Sequence, residues 1–502
     1  MLADSGSPVQ GEVLLREDLV ATDDREDLGK TLNESADLLV VDGDVVTMAP
    51  GREVLVGASI AVAGGRIAAI GAAADLRGRY PGTPELDAAG CVVTPGLVNA
   101  HQHTTADPLT RSGIPDDIDA QTAIFDWAVP LHTAHTGGDD EVSATLTAVE
   151  SLRRGVTTLV EPGTVAHPLR VAAGLRTAGI RARLGGWGWD TPGLPFSAPA
   201  VDVLASQEEL VAALPAGGLV SAWVTLVGHD LASDALFQGA AALAKRLGTG
   251  LTWHLSPGQA DIEAYAARSG VRPVVHLRKL GVLGPRLLLG HAVWLDDEEL
   301  DALVESDTAI ASCPGAYLRL GQGFTRAGRH VEFLRRGGRL ALGCDSHNAG
   351  DVPDVLRAAW LFAGLSLDRG DHRPVHADEA FALATIEGAR AIGLADQIGS
   401  LEVGKAADLV VFDTSDPAWV PRGDEALQLI WGAPSHTVRD VVVAGRVVVR
   451  DQNVCTVDYQ DLRRRAAENA HKLIRRAGIQ PYRRWPHVPV SNPATGDRVT
   501  GW

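Results

Sequence analysis

The sequence predicts an α/β protein in which a distorted (β/α)8 TIM barrel carries a small β-sandwich domain built from N- and C-terminal segments. Three observations predict it. Strand-like apolar runs alternate with helical stretches from about Gly96 to Gly393, hairpin-type strands flank that region on both sides, and histidine or aspartate residues recur at the ends of several runs. Strand–helix alternation sustained over such a length favours a closed parallel sheet with helices outside.

Taken in order, residues 1–35 are polar and acidic with little periodicity and are expected to form a mobile arm. From residue 36 the pattern becomes short strands and turns, at 37–43, 59–71 and 91–96, which read as β-hairpins. Barrel strands are expected in the run before His101 and at 156–160, 182–186, 221–226, 250–253, 286–290, 308–311 and 339–343. Hairpin strands return at 407–413 and 438–449, so segments 36–95 and 394–450 are expected to form one composite sandwich beside a barrel of residues 96–393. Residues 451–502 are expected to add a surface helix over 457–477, with Arg463, Arg464, Arg465, Lys472, Arg475 and Arg476 on its solvated face, and a tail rich in Pro and Arg.

Composition narrows the function. With 502 residues, 45% hydrophobic and 22% charged, the chain can bury a core without disulfides. A formal charge of −18 repels the phosphates of nucleic acid and of anionic membranes, so neither is an expected partner. Cys91, Cys313, Cys344 and Cys455 form no metal-ligand or redox spacing and fit a reduced, cytoplasmic protein. No signal segment or membrane-length apolar run is seen. A small-molecule substrate and a homodimer or higher homo-oligomer are expected.

The chemistry concentrates at strand ends. In Thr94-Pro-Gly-Leu-Val-Asn-Ala-His101-Gln-His103, alternation along a strand points His101 and His103 the same way, within reach of one metal. His254, His291 and Asp345 each end another strand-like run, and the active sites of barrels lie at the C-terminal ends of their strands. Imidazoles with one carboxylate suit a single divalent transition metal, zinc first, with iron, cobalt or manganese as alternatives.

With these residues in view, the sequence resembles the amidohydrolase superfamily, in particular its cytosine deaminase, guanine deaminase and triazine hydrolase branch. The resemblance covers about residues 36–450. It rests on the motif through His103, on Gly290-His-Ala-Val-Trp-Leu-Asp-Asp-Glu-Glu-Leu, on Cys313-Pro with Leu318-Arg-Leu-Gly, and on Gly399-Ser-Leu-Glu-Val-Gly-Lys-Ala-Ala-Asp-Leu-Val-Val. It implies that His101, His103, His254 and Asp345 hold the metal, that His291 stands beside the water it activates, and that Asp345 takes the proton of that water. No lysine ends the strand at 221–226 to be carboxylated as a bridge, which favours one metal over two.

One departure redirects the functional reading. The branch places a glutamate three residues after the fifth-strand histidine, where it protonates a ring nitrogen; here the stretch is His254-Leu-Ser-Pro257. Asp261 and Glu263 are the nearest carboxylates. Without that acid, weight moves from ring deamination to hydrolysis of an amide, carbamate, urea or thiocarbamate carbonyl, which a metal activates directly. Deamination of a nucleobase-like or triazine heterocycle is the alternative, followed by loss of a thiolate or halide. A catalytically inactive binding protein of the same fold is the reading from another class, and the complete ligand set speaks against it.

Substrate contacts are expected from His229, which matches a fourth-strand histidine of the resembled family, from His347 and Asn348 in the loop after Asp345, and from Trp127 and Tyr317 as walls of an apolar pocket, with Trp187 and Trp189 beside them. Glu161 and His167 follow the second barrel strand. Cys313 and Cys344 are read as small buried residues rather than nucleophiles.

Overall fold

The structure is a computed structural model that describes residues 35–432, 435–480 and 482–486. The arm expected at 1–35 falls, apart from Ser35, outside the described residues, as does the tail after 486.

Five strands precede the barrel: β1 (Leu38–Val46), β2 (Val54–Ala63), β3 (Arg66–Gly71), β4 (Glu85–Asp87) and β5 (Val92–Pro95). The barrel strands are β6 (Leu97–Asn99), β7 (Val156–Val160), β8 (Arg181–Leu184), β9 (Val220–Ala222), β10 (Val224–Gly228), β11 (Leu251–Leu255), β12 (Leu287–His291), β13 (Ala309–Ser312) and β14 (Leu340–Leu342). Four more follow: β15 (Leu409–Phe412), β16 (Val438–Val443), β17 (Arg446–Arg450) and β18 (Asn453–Val454).

Strands from both flanks share one nine-stranded sheet, in the order β18-β17-β16-β15-β5-β1-β2-β3, with β4 beside β1. The seam between the two flanks is the antiparallel pair of β15 and β5, in which Leu409 faces Pro95 and Phe412 faces Val92. Residues of β1 alternate between two cores: Val40 packs with Ile60, Val62, Leu409 and Val411, whereas Leu39 and Val41 pack with Leu76 and Tyr80. That two-residue period is what the apolar run at 37–43 encodes.

The barrel strands run parallel in two arcs, β6-β7-β8-β9 and β10-β11-β12-β13-β14. The expected strand at 221–226 is divided at Trp223, whose N–H donates to Leu184 O while that of Val224 donates to Gly250 O. One chain segment thus pairs first with β8 and then with β11, which joins the arcs. On the other side Ala100 N–H donates to Leu342 O, tying the end of β6 to β14. Val98, Ala100, Val160, Leu288, Ala309, Ala311 and Ala341 form an inner core of mostly small side chains, and Leu287 and Leu289 pack outward in the larger core.

A buried bidentate pair links the barrel to the second flank: Arg181 on β8 donates to both carboxylate oxygens of Asp408 at 2.9 and 3.0 Å. The helix Tyr459–Ala477 buries Leu462, Ala466, Ala470 and Leu473 against Leu109, Leu131, Val142 and Val149, so it is a surface helix packed on the barrel. Among the described residues no helix is long and apolar enough to cross a membrane.

Candidate active site

The parallel strands deliver the candidate residues to one end of the barrel. His101 and His103 follow β6, His254 and His291 are the penultimate residue of β11 and the last of β12, and Asp345 follows β14. The strands carrying His254 and His291 therefore extend one or two residues beyond the runs read from sequence. All five residues are buried. The ring centre of His101 is 5.3 Å from that of His103, 4.8 Å from His254 and 5.0 Å from His291. Nε2 of His103 lies 3.2 Å from Nε2 of His254 and 3.3 Å from Oδ1 of Asp345. Nε2 of His101 is 3.9 Å from the same carboxylate oxygen, and Nε2 of His291 is 4.0 Å from Oδ2.

This convergence costs backbone strain. His229, Ser256, His291, Ala292 and Asp345 have φ of 55°, 50°, 74°, 48° and 63°, in the left-handed region that residues with a Cβ rarely enter. Glycine is required where strands pass the first histidine. A Cβ on Gly290 would come within 2.7 Å of the His101 ring, and one on Gly343 within 2.6 Å of His101 Cβ.

Hydrogen bonds fix the imidazole tautomers. Nδ1 of His254 is 2.7 Å from Val227 O, a carbonyl that only accepts, so Nδ1 carries the proton and Nε2 presents a lone pair. Burial holds His254 and His101 well below the ordinary histidine range, so both rings are neutral. Burial alone would raise the Asp345 carboxyl, but the hydrogen bond from His103 holds it well below the usual carboxylate range. Neither ring nitrogen of His101 has a hydrogen-bond partner, although both are buried. This unpartnered buried ring, gathered with His103, His254 and the Asp345 carboxylate, fits a divalent transition metal with three nitrogen ligands and one oxygen ligand.

A second set of residues orients the first. Nδ1 of His103 lies 2.6 Å from Thr164 Oγ1, and Glu161 beyond it accepts hydrogen bonds from the N–H of Thr104, Gly163 and Thr164 and from Thr104 Oγ1. Asn99 Oδ1 accepts from the N–H of both His101 and Cys344, and Gln102 Nε2 donates to Asp345 O at 2.7 Å. These ties lock the end of β6 to the end of β14 and hold the candidate ligands in register. Nothing local in the sequence marks Asn99 and Gln102 for these roles, because hydrogen bonds across a barrel carry no local spacing.

A cavity of about 420 Å³ opens above this cluster. It is lined by His103, His254, His291 and Asp345, and by the expected contacts His229, Asn348, Trp187 and Trp189. Three expected substrate contacts are not among its lining. Trp127 faces a separate cavity with Leu109, Leu131 and Ile474. On that helical stretch Ile124, Phe125 and Ala128 take the active-site face, which turns Trp127 and Leu131, four residues apart, the other way. Tyr317 is a core residue whose hydroxyl accepts from Cys313 N–H at 2.8 Å, behind His291. His347 is fully buried with Nε2 3.4 Å from Glu150 Oε2. His132, Asp107 and Gln322 line the cavity without having been singled out from the sequence. His167 instead pairs with Asp140 at 2.8 Å, away from the cluster.

At the position of the absent glutamate, Pro257 lines the cavity wall. The two nearby carboxylates part company: Glu263 is exposed and bonds Gln259, whereas Asp261 is buried and lines the cavity. One Asp261 oxygen accepts from Ser256 N–H at 2.7 Å and the other lies 2.7 Å from Nδ1 of His229.

Residues 92–448 match the model of the amidohydrolase family, and residues 60–82 match that of an imidazolonepropionase-like composite domain of bacteria. The chain is 34% identical over 435 residues to a 5-methylthioadenosine/S-adenosylhomocysteine deaminase of Syntrophobacter fumaroxidans, covering 86% of this chain and 97% of that relative. A protein of the same description from Moorella thermoacetica is 29% identical, covering 89% of this chain and 100% of the relative. Among solved structures, an adenosine deaminase of Xanthomonas campestris with bound zinc superposes with a TM-score of 0.82 at 29% identity, covering 89% of this chain and 99% of that one. The zinc complex of an atrazine chlorohydrolase from Arthrobacter aurescens, at 23% identity and a TM-score of 0.78 over 87% of this chain and all of that one, shares the fold.

Proposed function

The chain belongs to the metal-dependent amidohydrolase family and is a hydrolase of carbon–nitrogen bonds; from that premise we propose that it is a zinc-dependent aminohydrolase that removes an exocyclic amino group from a heteroaromatic substrate. The observation that carries this reading is the buried Asp261 carboxylate, hydrogen-bonded to His229 in the cavity wall at 2.7 Å. Paired in this way, His229 would serve as the acid in place of the usual glutamate. The aminated purines named for the relatives are the first substrate class to test.

His101, His103, His254 and Asp345 would hold the metal, which supplies an activated water nucleophile at neutral pH. Asp345 accepts a proton from the attacking water at its carboxylate and passes it to the leaving nitrogen. Asp261 keeps Nδ1 of His229 engaged, which leaves Nε2 as the ring nitrogen available to hold a proton against the heterocycle. His291 hydrogen-bonds the group undergoing attack. Trp187, Val129 and Phe125 form an apolar wall that excludes water from around the substrate body.

A second reading, hydrolysis of an amide, carbamate, urea or thiocarbamate, is favoured by Pro257, because a carbonyl has no ring nitrogen to protonate. The test is the metal content of purified full-length protein together with turnover of aminated heterocycles and of acyl compounds. Ammonia from heterocycles supports deamination, amine from acyl compounds supports the second reading, and protein that takes up no metal and releases neither refutes both. We propose a homo-oligomeric, cytoplasmic enzyme, the first of which size-exclusion chromatography with light scattering checks.

A further inference from the structure

The cavity wall away from the metal cluster is rich in carboxylates. Asp107, Asp230 and Asp261 contribute carboxylates, and among the described residues that line the cavity there is no lysine or arginine. Two amide oxygens, Asn348 Oδ1 and Gln322 Oε1, are buried with no hydrogen-bond partner, on side chains that are 4% and 8% exposed. The orientation of Asn348 is fixed, because its Nδ2 donates to Asp107 Oδ1 at 2.6 Å, so its oxygen is directed elsewhere. The loop bearing Asp107 is itself anchored: Ala106, with φ of 55°, donates its N–H to Nε2 of His135 at 3.1 Å, and Nδ1 of that ring bonds buried Asp140. The Asn348 oxygen is therefore held rigidly in the wall beside Asp107, desolvated and without a donor.

We propose that this cavity selects an uncharged or cationic substrate whose N–H or O–H donors are read by Asp107 and Asn348, and that it rejects substrates with a net negative charge. The inference rests on the aminohydrolase reading and deepens it. Buried acceptors left unpaired are costly, so a ligand that brings donors gains their full value. An anion brought among three carboxylates, with no lysine or arginine in the described lining to meet it, is repelled and loses its hydration.

Zinc-loaded full-length protein is assayed for ammonia release from 5-methylthioadenosine, adenosine, adenosine 5′-carboxylate and adenosine monophosphate. Each anionic compound is expected to show kcat/KM at least about 30-fold below its uncharged counterpart. Asp107→Asn, which keeps the shape and removes the charge, should raise the anionic-to-neutral ratio about fivefold or more, through KM and with metal content unchanged. Asp230→Asn serves the same purpose should Asp107→Asn fail to fold. Turnover of the anionic compounds within about threefold of their counterparts, or a ratio unmoved by either variant, overturns the selectivity while leaving the aminohydrolase reading intact. No turnover of any of the four, nor of the wider panel of heterocycles, refutes that reading instead.

Discussion

Nδ1 of His229 lies 2.7 Å from Oδ1 of Asp261, across 32 residues of sequence and between the loops that follow two neighbouring barrel strands. Oδ2 of the same carboxylate caps Ser256 N–H, so Asp261 is held at both oxygens. Asp261 thus enters the cavity from the first turn of the helix Gln259–Ser269, while Glu263, two residues on, faces solvent.

Replacing Asp261 with asparagine is expected to lower kcat for ammonia release by about 10²-fold or more, the usual range for loss of a general acid or its partner. Glu263→Gln should leave kcat and KM near wild type. Steady-state kinetics on the best heterocycle checks both, and equal effects of the two changes would remove Asp261 from the mechanism.

The candidate ligands leave a narrow gap beside His101. A methyl group at Gly290 would stand 2.7 Å from that ring, so Gly290→Ala is expected to weaken zinc affinity about 10- to 100-fold while the chain still folds. His101→Ala and Asp345→Ala should reduce turnover to background. Competition with a chromogenic chelator measures the affinity, and circular dichroism reports the fold. Wild-type affinity in Gly290→Ala would mean that the ring moves at little cost.

Two buried histidines outside the candidate ligand set give a pH signature. Burial pushes His132 down to about 3 and His330 to about 4, from an ordinary value of 6.5. Below pH 6.5 the unfolded chain gains protons at these positions that the folded chain does not, so stability falls as pH drops from 6.5 towards 4 and is unaffected above 6.5. Each contributes about 1.4 kcal/mol per pH unit in that window. His330→Gln should flatten the acid limb of thermal midpoint against pH by about that amount, and parallel curves would show that His330 is charged in the native state.

Asp408 accepts the Arg181 guanidinium and also the N–H of Ala444 at 2.6 Å. Asp408→Ala leaves a buried guanidinium unpaired and is expected to cost about 3–5 kcal/mol in chemical denaturation. The double change Arg181→Met with Asp408→Leu should recover much of that loss. A single variant as stable as wild type would mean that Arg181 finds solvent or another acceptor.

The barrel was legible in the sequence because its signal is local. Runs such as Leu287-Leu-Leu-Gly announce a strand buried on both faces, and strand polarity in a parallel barrel puts His101, His103, His254, His291 and Asp345 at one end whatever the loops do. The flanking hairpins were legible for the same reason, since alternation in β1 reports two buried faces without reference to the partner strand.

Loop-borne contacts obey no such rule. Trp127 and Leu131 share a helix face that turns from the cavity, Tyr317 folds back onto Cys313, and His347 is sequestered beside Glu150, although all sit in segments the sequence placed near the site. Sequence by itself determined the barrel, its candidate ligands and the missing glutamate, because strand period and strand polarity translate directly into position. Only the tertiary structure decided that Asp261 turns inward and Glu263 outward, and that Asp107 meets Asn348 across 241 residues, because each outcome depends on how separate loops pack against one another, a contact that no local spacing encodes.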